Sequence, residues 1–405
     1  MAPKLLQFIC SDSFEVSFCR VTRWILRFLG FWPLDSLNRL IIINIIFNLI
    51  LLITACIGEL RFAWFIREEP LKALDAFCPC LTKTVTWMKL VTFFVYRKDL
   101  SIILKSLFEH CKTDTNNLTK RTMISKTSFN TSIWCLLLYI NAFIVSFLFS
   151  LKPLLVWSYH FYVTGHRGNW VALPFQAALP YQDMTQINNK AWYSIIYCIL
   201  AHSGTITVFG ITGCDGTLFC FCMYISISYQ CLQEDFKTVF NKHMSRDLKA
   251  VRNDVLYNEL TELVKRQQNI MEIFKSFNRI FKFMIFIHFG SASIILAIVL
   301  VNFLLIPGIS KLIYLNYAFG TAIQLFTFCY GAERVNQNCL QLSEALYFCD
   351  WYKSNRRVKL LILFVLRNSQ KGSPLEAPFF SPSLILFSSI IQKSVSYLTI
   401  LQTFL

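Results

Sequence analysis

Seven times along this 405-residue chain the sequence runs for about twenty residues with few or no charges, the length a helix needs to cross a bilayer. Lipid offers no partner to backbone N–H and C=O groups, so runs of this length can cross only as helices that bond within themselves. The runs cover 41–57, 71–96, 132–157, 191–229, 284–306, 312–330 and 384–405. Charged residues make up 15% of the chain, well under the roughly 25% of a soluble domain. The expected class is an all-α membrane protein of seven transmembrane helices.

The net charge of +16 could suggest nucleic acid, but the charges lie between the apolar runs. Segments 1–39, 97–130, 230–275 and 331–371 alternate with the remaining loops and hold 27 Lys and Arg, against 5 on the other side. The positive-inside rule then puts the amino terminus in the cytosol and the carboxyl terminus outside, the reverse of a G-protein-coupled receptor. No apolar core followed by a small-residue cleavage site occurs in 1–39, so a cleaved signal peptide is not expected. Most of the fifteen cysteines, among them Cys56, Cys135, Cys198, Cys220, Cys222 and Cys329, sit in apolar runs and read as small buried residues. Cys78 and Cys80 form no CxxC pair and have no histidine cluster beside them, so no metal or cofactor is expected. Enzyme motifs such as HExxH, GxSxG or a phosphate loop do not occur.

In order, the chain divides into a cytosolic segment 1–39, six helices over 40–330, a segment 331–371 and a last helix within 372–405. Glu59, Glu68 and Glu69 read as an acidic loop after the first span. Lys83 and Lys89 in the second span are costly unless they face protein or reach the interface, and Asp215 is an acid deep in the fourth. Gly204, Gly210, Gly213 and Gly216 allow close helix contact. From Phe236 through Leu256, Leu263, Phe274 and Phe281, apolar residues keep helical spacing among charges, which predicts one amphipathic cytosolic helix over 230–283 leading into the fifth span. That helix is expected to pack on 331–360 and on the same region of neighbouring subunits.

The last helix carries a polar stripe of Ser389, Gln392, Ser396, Thr399 and Thr403, opposite Phe387, Ile391, Leu398, Leu401 and Leu405. Lipid does not satisfy such a stripe, so it must face protein or water. On geometry alone, packing against neighbouring helices is the plainer account and a pore lining the other.

The block Ala345-Leu346-Tyr347, Trp351, the basic run Arg356-Arg357-Lys359, Ser369-Gln370-Lys371 before Pro374-Leu375, and the closing Ser396-Tyr397-x-Thr399-x-Leu401 resemble the carboxyl-terminal signature of insect odorant receptors. Cys214-Asp215, Phe219 and Gln230-Cys231-Leu232 are similar to that family's pattern at the inner end of the fourth helix. One departure is that Gly372 and Ser373 separate Gln-Lys from Pro-Leu, which the family usually joins. The resemblance implies a ligand-tuned subunit of an odorant-gated nonselective cation channel, in the plasma membrane of olfactory sensory neurons and in a heterotetramer with the odorant receptor co-receptor. It also implies a cytosolic helical anchor region, a ligand pocket in the outer half of helices two to six, and a pore on the last helix. The region after Gln230 is compact, whereas the co-receptor carries an insertion there. For a small volatile ligand, the outer parts of the spans offer Trp87, Met88, Phe143, Phe147, Ser150, Tyr193, Tyr197, Tyr314 and Tyr317. Core packing is the commoner role for any one of these aromatics. Matching at Tyr397 puts Ile400 and Phe404 at an apolar gate, with Thr403 between them and Gln392, Ser396 and Thr399 on a wetter path. A gustatory-type receptor of the same architecture is the nearest alternative, and a G-protein-coupled receptor a more distant one.

Overall fold

The computed structural model describes residues 14–163, 173–178, 190–244, 251–306 and 310–404, and their regular structure is helical throughout. The helices are α1 Phe14–Ser17, α2 Arg20–Leu29, α3 Arg39–Phe65, α4 Pro70–Val95, α5 Arg97–Asp114, α6 Leu118–Val163, α7 Lys190–Met244, α8 Val251–Leu305, α9 Ser310–Tyr347, α10 Arg356–Gln370 and α11 Leu384–Phe404. Five stretches of them have the length and composition to cross a membrane: α3, Leu118–Leu155, Trp192–His243, Asp254–Leu305 and Lys311–Tyr347.

Their apolar residues divide between two environments. In α3, Ile45, Asn48, Leu52, Ala55 and Glu59 recur at three- and four-residue steps and are buried, while Leu40, Ile43, Phe47, Ile50 and Ile57 are exposed. A helix apolar all round that buries only one stripe suits lipid on its other face. The sequence reading ended this span at 57 and put Glu59 in a loop. Instead the helix continues to Phe65, because Glu59 meets Lys83 of α4 inside the bundle.

Residues 230–283, expected as one amphipathic helix, belong to two. α7 runs on to Met244 and α8 begins at Val251, and Glu259 of α8 takes Lys242 at 2.7 Å and His243 at 3.0 Å across the gap. Doubling back lets both apolar stripes, Phe236 and Phe240 on one side and Leu256, Leu260, Phe274 and Phe277 on the other, bury in one core. Val335, Cys339, Leu342 and Leu346 of α9 and Val358, Ile362 and Val365 of α10 complete that core. Leu263 and Phe274 are therefore buried within the single chain. Substituting either with a charge tests folding before it tests assembly.

α2 lies against α7 with Val21, Thr22, Ile25, Leu26 and Leu29 buried. It stops at Gly30, whose φ of 84° lets Phe31 N–H reach Leu26 O at 2.8 Å. A Cβ at Gly213 would sit 2.7 Å from Leu26 Cδ2, so the glycine is what allows this approach. α5 presents Leu100, Ile103, Leu104, Leu107 and Cys111 to the same core.

Between α10 and α11 the chain turns at Gly372, in the left-handed region with φ 68°. Ser373 donates its N–H to Asn336 Oδ1 at 3.1 Å and places its hydroxyl 3.1 Å from Tyr229 OH. The two inserted residues thus tie the turn to α7 and α9, and Leu375 follows fully buried. The fourteen described cysteines are free thiols; Cys198, expected inside, is exposed.

Candidate functional site

The polar residues of α4 meet partners on α3, α7, α8 and α9. Lys83 pairs with Glu59 of α3, and Lys89 lies 2.5 Å from Asp215 Oδ1 of α7. All four side chains are at most 2% exposed. Buried charges persist where each finds its opposite, so these lysines are held by protein and not by the membrane surface. Lys83 Nζ also sits over the Phe175 ring at 3.7 Å, and Lys89 Nζ over Phe328 at 5.5 Å, each favourable for a desolvated cation.

Beside these pairs α4, α6, α7, α8 and α9 line a cavity of about 90 Å³, counted as the space open to the centre of a water-sized sphere. One buried water needs about 10–15 Å³ by this measure, so the cavity has room for several waters or one small organic molecule. Its walls are mainly apolar, with Val85, Ala142, Val145, Phe149, Val208, Ile211, Ala292 and Ile295. Polar groups enter from Thr82, Lys83, Asn141, Ser146, Thr207, His288, Ser291, Tyr317, Thr321 and Gln324. Apolar walls with a few placed polar groups are the general pattern of small-molecule sites.

Phe175 closes one side. It belongs to the short described segment 173–178, which Ala178 N–H fastens to Gly58 O at 2.8 Å, and its ring stacks on Phe149 at 5.9 Å. Gly204 makes the space for it, since a Cβ there would lie 2.8 Å from the Phe175 ring. Phe175 falls between the apolar runs 132–157 and 191–229, so the sequence reading passed over it. The signal was present in Leu173-Pro174-Phe175 and Ala177-Ala178, a short apolar run between those two.

Of the nine residues put forward for the pocket, Tyr317 lines the cavity, its hydroxyl paired with Thr82 Oγ1. The other eight stand outside the lining. Tyr314 donates to Asp75 Oδ1 at 2.7 Å, and Tyr197 donates to the Ser150 carbonyl while its ring lies 5.8 Å from Tyr193. Phe143 and Phe147 stack on each other on the exposed face of α6. Trp87 packs against the main core, and Met88 is exposed. Aromatic content alone pointed to these positions, but helix rotation decides which face turns inward. His288, Asn141, Gln324 and Phe175 were not singled out.

On α11, Leu384, Leu386, Phe387 and Ile390 pack against the core, with Phe387 5.4 Å from Phe326. Gln392, Ser396 and Thr399 are exposed. The side chains of Ile400, Thr403 and Phe404 lie outside the described residues. Gln230 and Ser369, parts of the signature blocks, are interhelical staples: Gln230 donates to Asn338 Oδ1 at 2.9 Å, and Gln267 donates to Ser369 Oγ at 2.8 Å. Their hydrogen bonds join α7 to α9 and α8 to α10.

Comparison with known proteins agrees with this architecture. The family profile described as 7tm Odorant receptor matches residues 69–395. Odorant receptor 22c of Drosophila melanogaster is 28% identical over 369 residues, covering 89% of each chain. The odorant receptor coreceptor of Ooceraea biroi is 28% identical over 144 residues, 34% of this chain and 30% of that one. The fold is similar to that of the olfactory receptor OR5 from Machilis hrabei in complex with eugenol, with a TM-score of 0.80 at 16% identity over 96% of this chain and 98% of that one. Matched along most of its length by the family profile, this chain belongs to the 7tm odorant receptor family, ligand-binding receptors and not enzymes.

Proposed function

We propose that this chain is the ligand-tuned subunit of an odorant-gated, nonselective cation channel, assembled as a heterotetramer with the odorant receptor co-receptor in the plasma membrane of olfactory sensory neurons. The observation that carries the reading is the cavity among α4, α6, α7, α8 and α9, apolar-walled and sized for a small volatile, on the fold of a receptor whose complex holds eugenol. Similarity to Odorant receptor 22c runs along 89% of the chain, whereas similarity to the coreceptor covers 34%, which supports the tuned role. In this reading α3, α4, α6, α7, α8, α9 and α11 make seven crossings. The amino terminus and the charge-rich helix ends lie in the cytosol, where those ends form the anchor. Tyr317, Phe175 and His288 face the odorant.

Support for a pore on α11 is that its first half is packed while its polar residues Gln392, Ser396 and Thr399 are exposed in the single chain. An exposed polar stripe on a lipid-embedded helix calls for water or another subunit beside it. Ile400 and Phe404 form an apolar constriction that closes by dewetting, with Thr403 between them. Odorant binding biases the outward movement of the helix.

Co-expression with the co-receptor, current recording and a screen of volatiles test the assignment. Inward currents are expected when both chains are present, with Ile400→Ser and Phe404→Ser raising odorant-independent current. Absence of any volatile-evoked current at normal surface levels would overturn it. Asn117 and Asn130 tests the orientation as acceptor sequons: both are exposed, so a glycan on either in cells would place them outside.

A further inference from the structure

His288 of α8 lines the cavity at 2% exposure, its ring lying on Phe328 with centroids 4.4 Å apart and planes at 25°. Its Nδ1 is 3.1 Å from Lys89 Nζ, and that ammonium is 2.5 Å from Asp215 Oδ1. A lysine held by a carboxylate is a donor only, so Nδ1 must accept. An imidazole that accepts at Nδ1 carries its proton at Nε2. Nε2 is buried and has no hydrogen-bond partner among the described residues. A buried N–H without an acceptor is costly, and such groups in native proteins are normally met by water or ligand.

Of the six hydroxyl residues that line the cavity, four are already engaged as donors. Thr82, Thr207, Ser291 and Thr321 each donate to a carbonyl of their own helix, at 2.8–3.0 Å. Their protons are engaged, while the Nε2 proton is available. Charge narrows the ligand further. Lys83 is paired with Glu59 and Lys89 with Asp215, so these four groups sum to zero around the cavity. A carboxylate or an ammonium ion entering would bring a charge with no counter-charge waiting, at high desolvation cost.

Taking the cavity as the odorant site, we propose that His288 Nε2–H selects a neutral ligand bearing a hydrogen-bond acceptor, such as the carbonyl oxygen of a ketone or ester, and discriminates against hydrocarbons of the same shape. A site built to hydrogen-bond one group rejects the isostere that lacks it, because its own buried polar atom is then left unpaired.

The test uses the chain co-expressed with the co-receptor and two isosteric pairs: acetophenone with α-methylstyrene, and cyclohexyl methyl ketone with isopropenylcyclohexane. Each pair replaces C=O by C=CH2. In the wild type the ketone should activate at a concentration about tenfold lower than its alkene, the effect of one buried hydrogen bond. His288→Gln, which returns an amide N–H near the Nε2 position, should keep part of that ratio. His288→Asn keeps an acceptor for Lys89 but has no donor at that distance, and should bring the ratio to about one. Comparing ratios within each variant cancels differences in surface level. An undiminished ratio in His288→Asn, a wild-type ratio near one, or benzoate acting as well as acetophenone overturns the proposal. Silence to all four neutral compounds at normal surface level counts against the cavity as an odorant site, and this inference goes with it.

Discussion

Two groups of four charges, each with two acids and two bases, lie at different places in this bundle, one partly open to solvent and the other fully buried, and they are built differently. At the charge-rich end Arg266 of α8 grips both oxygens of Asp114 at 2.8 Å and Asp235 at 2.6 Å, while Lys120 pairs with the same two aspartates. The four close into one network joining α5, α6, α7 and α8. At the cavity end, Glu59–Lys83 and Asp215–Lys89 are separate pairs, and one oxygen of each acid, Oε2 of Glu59 and Oδ2 of Asp215, has no partner among the described residues. Arg presents a planar fork that satisfies two carboxylates at once, whereas Lys is a compact charge that serves fewer fixed directions. A closed network favours one arrangement of the helices it joins; open pairs leave polar atoms ready for water or a ligand. The difference suits an end that must hold its shape and an end that must admit a molecule.

The largest effect that sharpens this contrast is expected from Arg266→Met, which leaves the buried Asp114 and the half-buried Asp235 to one lysine. Loss of one member of a buried ion pair costs about 3–5 kcal/mol, so the variant should lose most surface expression and melt far earlier in detergent. Wild-type melting would mean that the network is solvated. Glu59→Gln should cost less, about 2–3 kcal/mol, because the cavity beside Lys83 admits water. The double variant Glu59→Leu with Lys83→Met, scored by the same melting assay, should recover to within about 1 kcal/mol of wild type. Failure to recover would show that the pair does more than cancel its own charge.

A third test uses pH. Burial and the nearby Arg266 guanidinium push His110 down to about 4 from its usual 6.5. The unfolded chain therefore takes up a proton at a higher pH than the folded one, and stability falls as pH drops from about 6.5 towards 4. Detergent-solubilised protein should lose about 1–3 kcal/mol across that window, and His110→Gln should lose less. Parallel curves for the two would remove His110 as the cause. The smallest effect belongs to Lys237→Ala, whose pair with Glu234 is exposed; melting should shift by under about 0.5 kcal/mol.

Much of the bundle was legible in the sequence because lipid leaves little choice. The helical class and the polar stripe of α11 follow from residue type and period, and five of the seven expected runs fall, among the described residues, in helices long and apolar enough to cross a membrane. The partners of Lys83 and Lys89 could also have been sought there: Glu59 and Asp215 are acids in or beside the apolar spans, and a buried lysine requires one. Glu59 was assigned to a loop because Arg61, Arg67, Glu68 and Glu69 follow it closely and the run looks like the end of the span. The pocket was less legible. Tyr317 and Phe143 are both aromatics in apolar helices, yet one lines the cavity and the other is exposed.

The sequence by itself determined that this chain is helical, that its long apolar runs suit lipid and that its basic residues gather in alternate segments, since each follows from the cost of placing a peptide or a charge in hydrocarbon. Only the tertiary structure decided which faces turn inward, that 230–283 doubles back, that Phe175 folds in from a loop, and that Lys89 holds His288 by Nδ1. Those outcomes depend on helix rotation and on contacts between residues up to two hundred positions apart, and no local pattern carries that information.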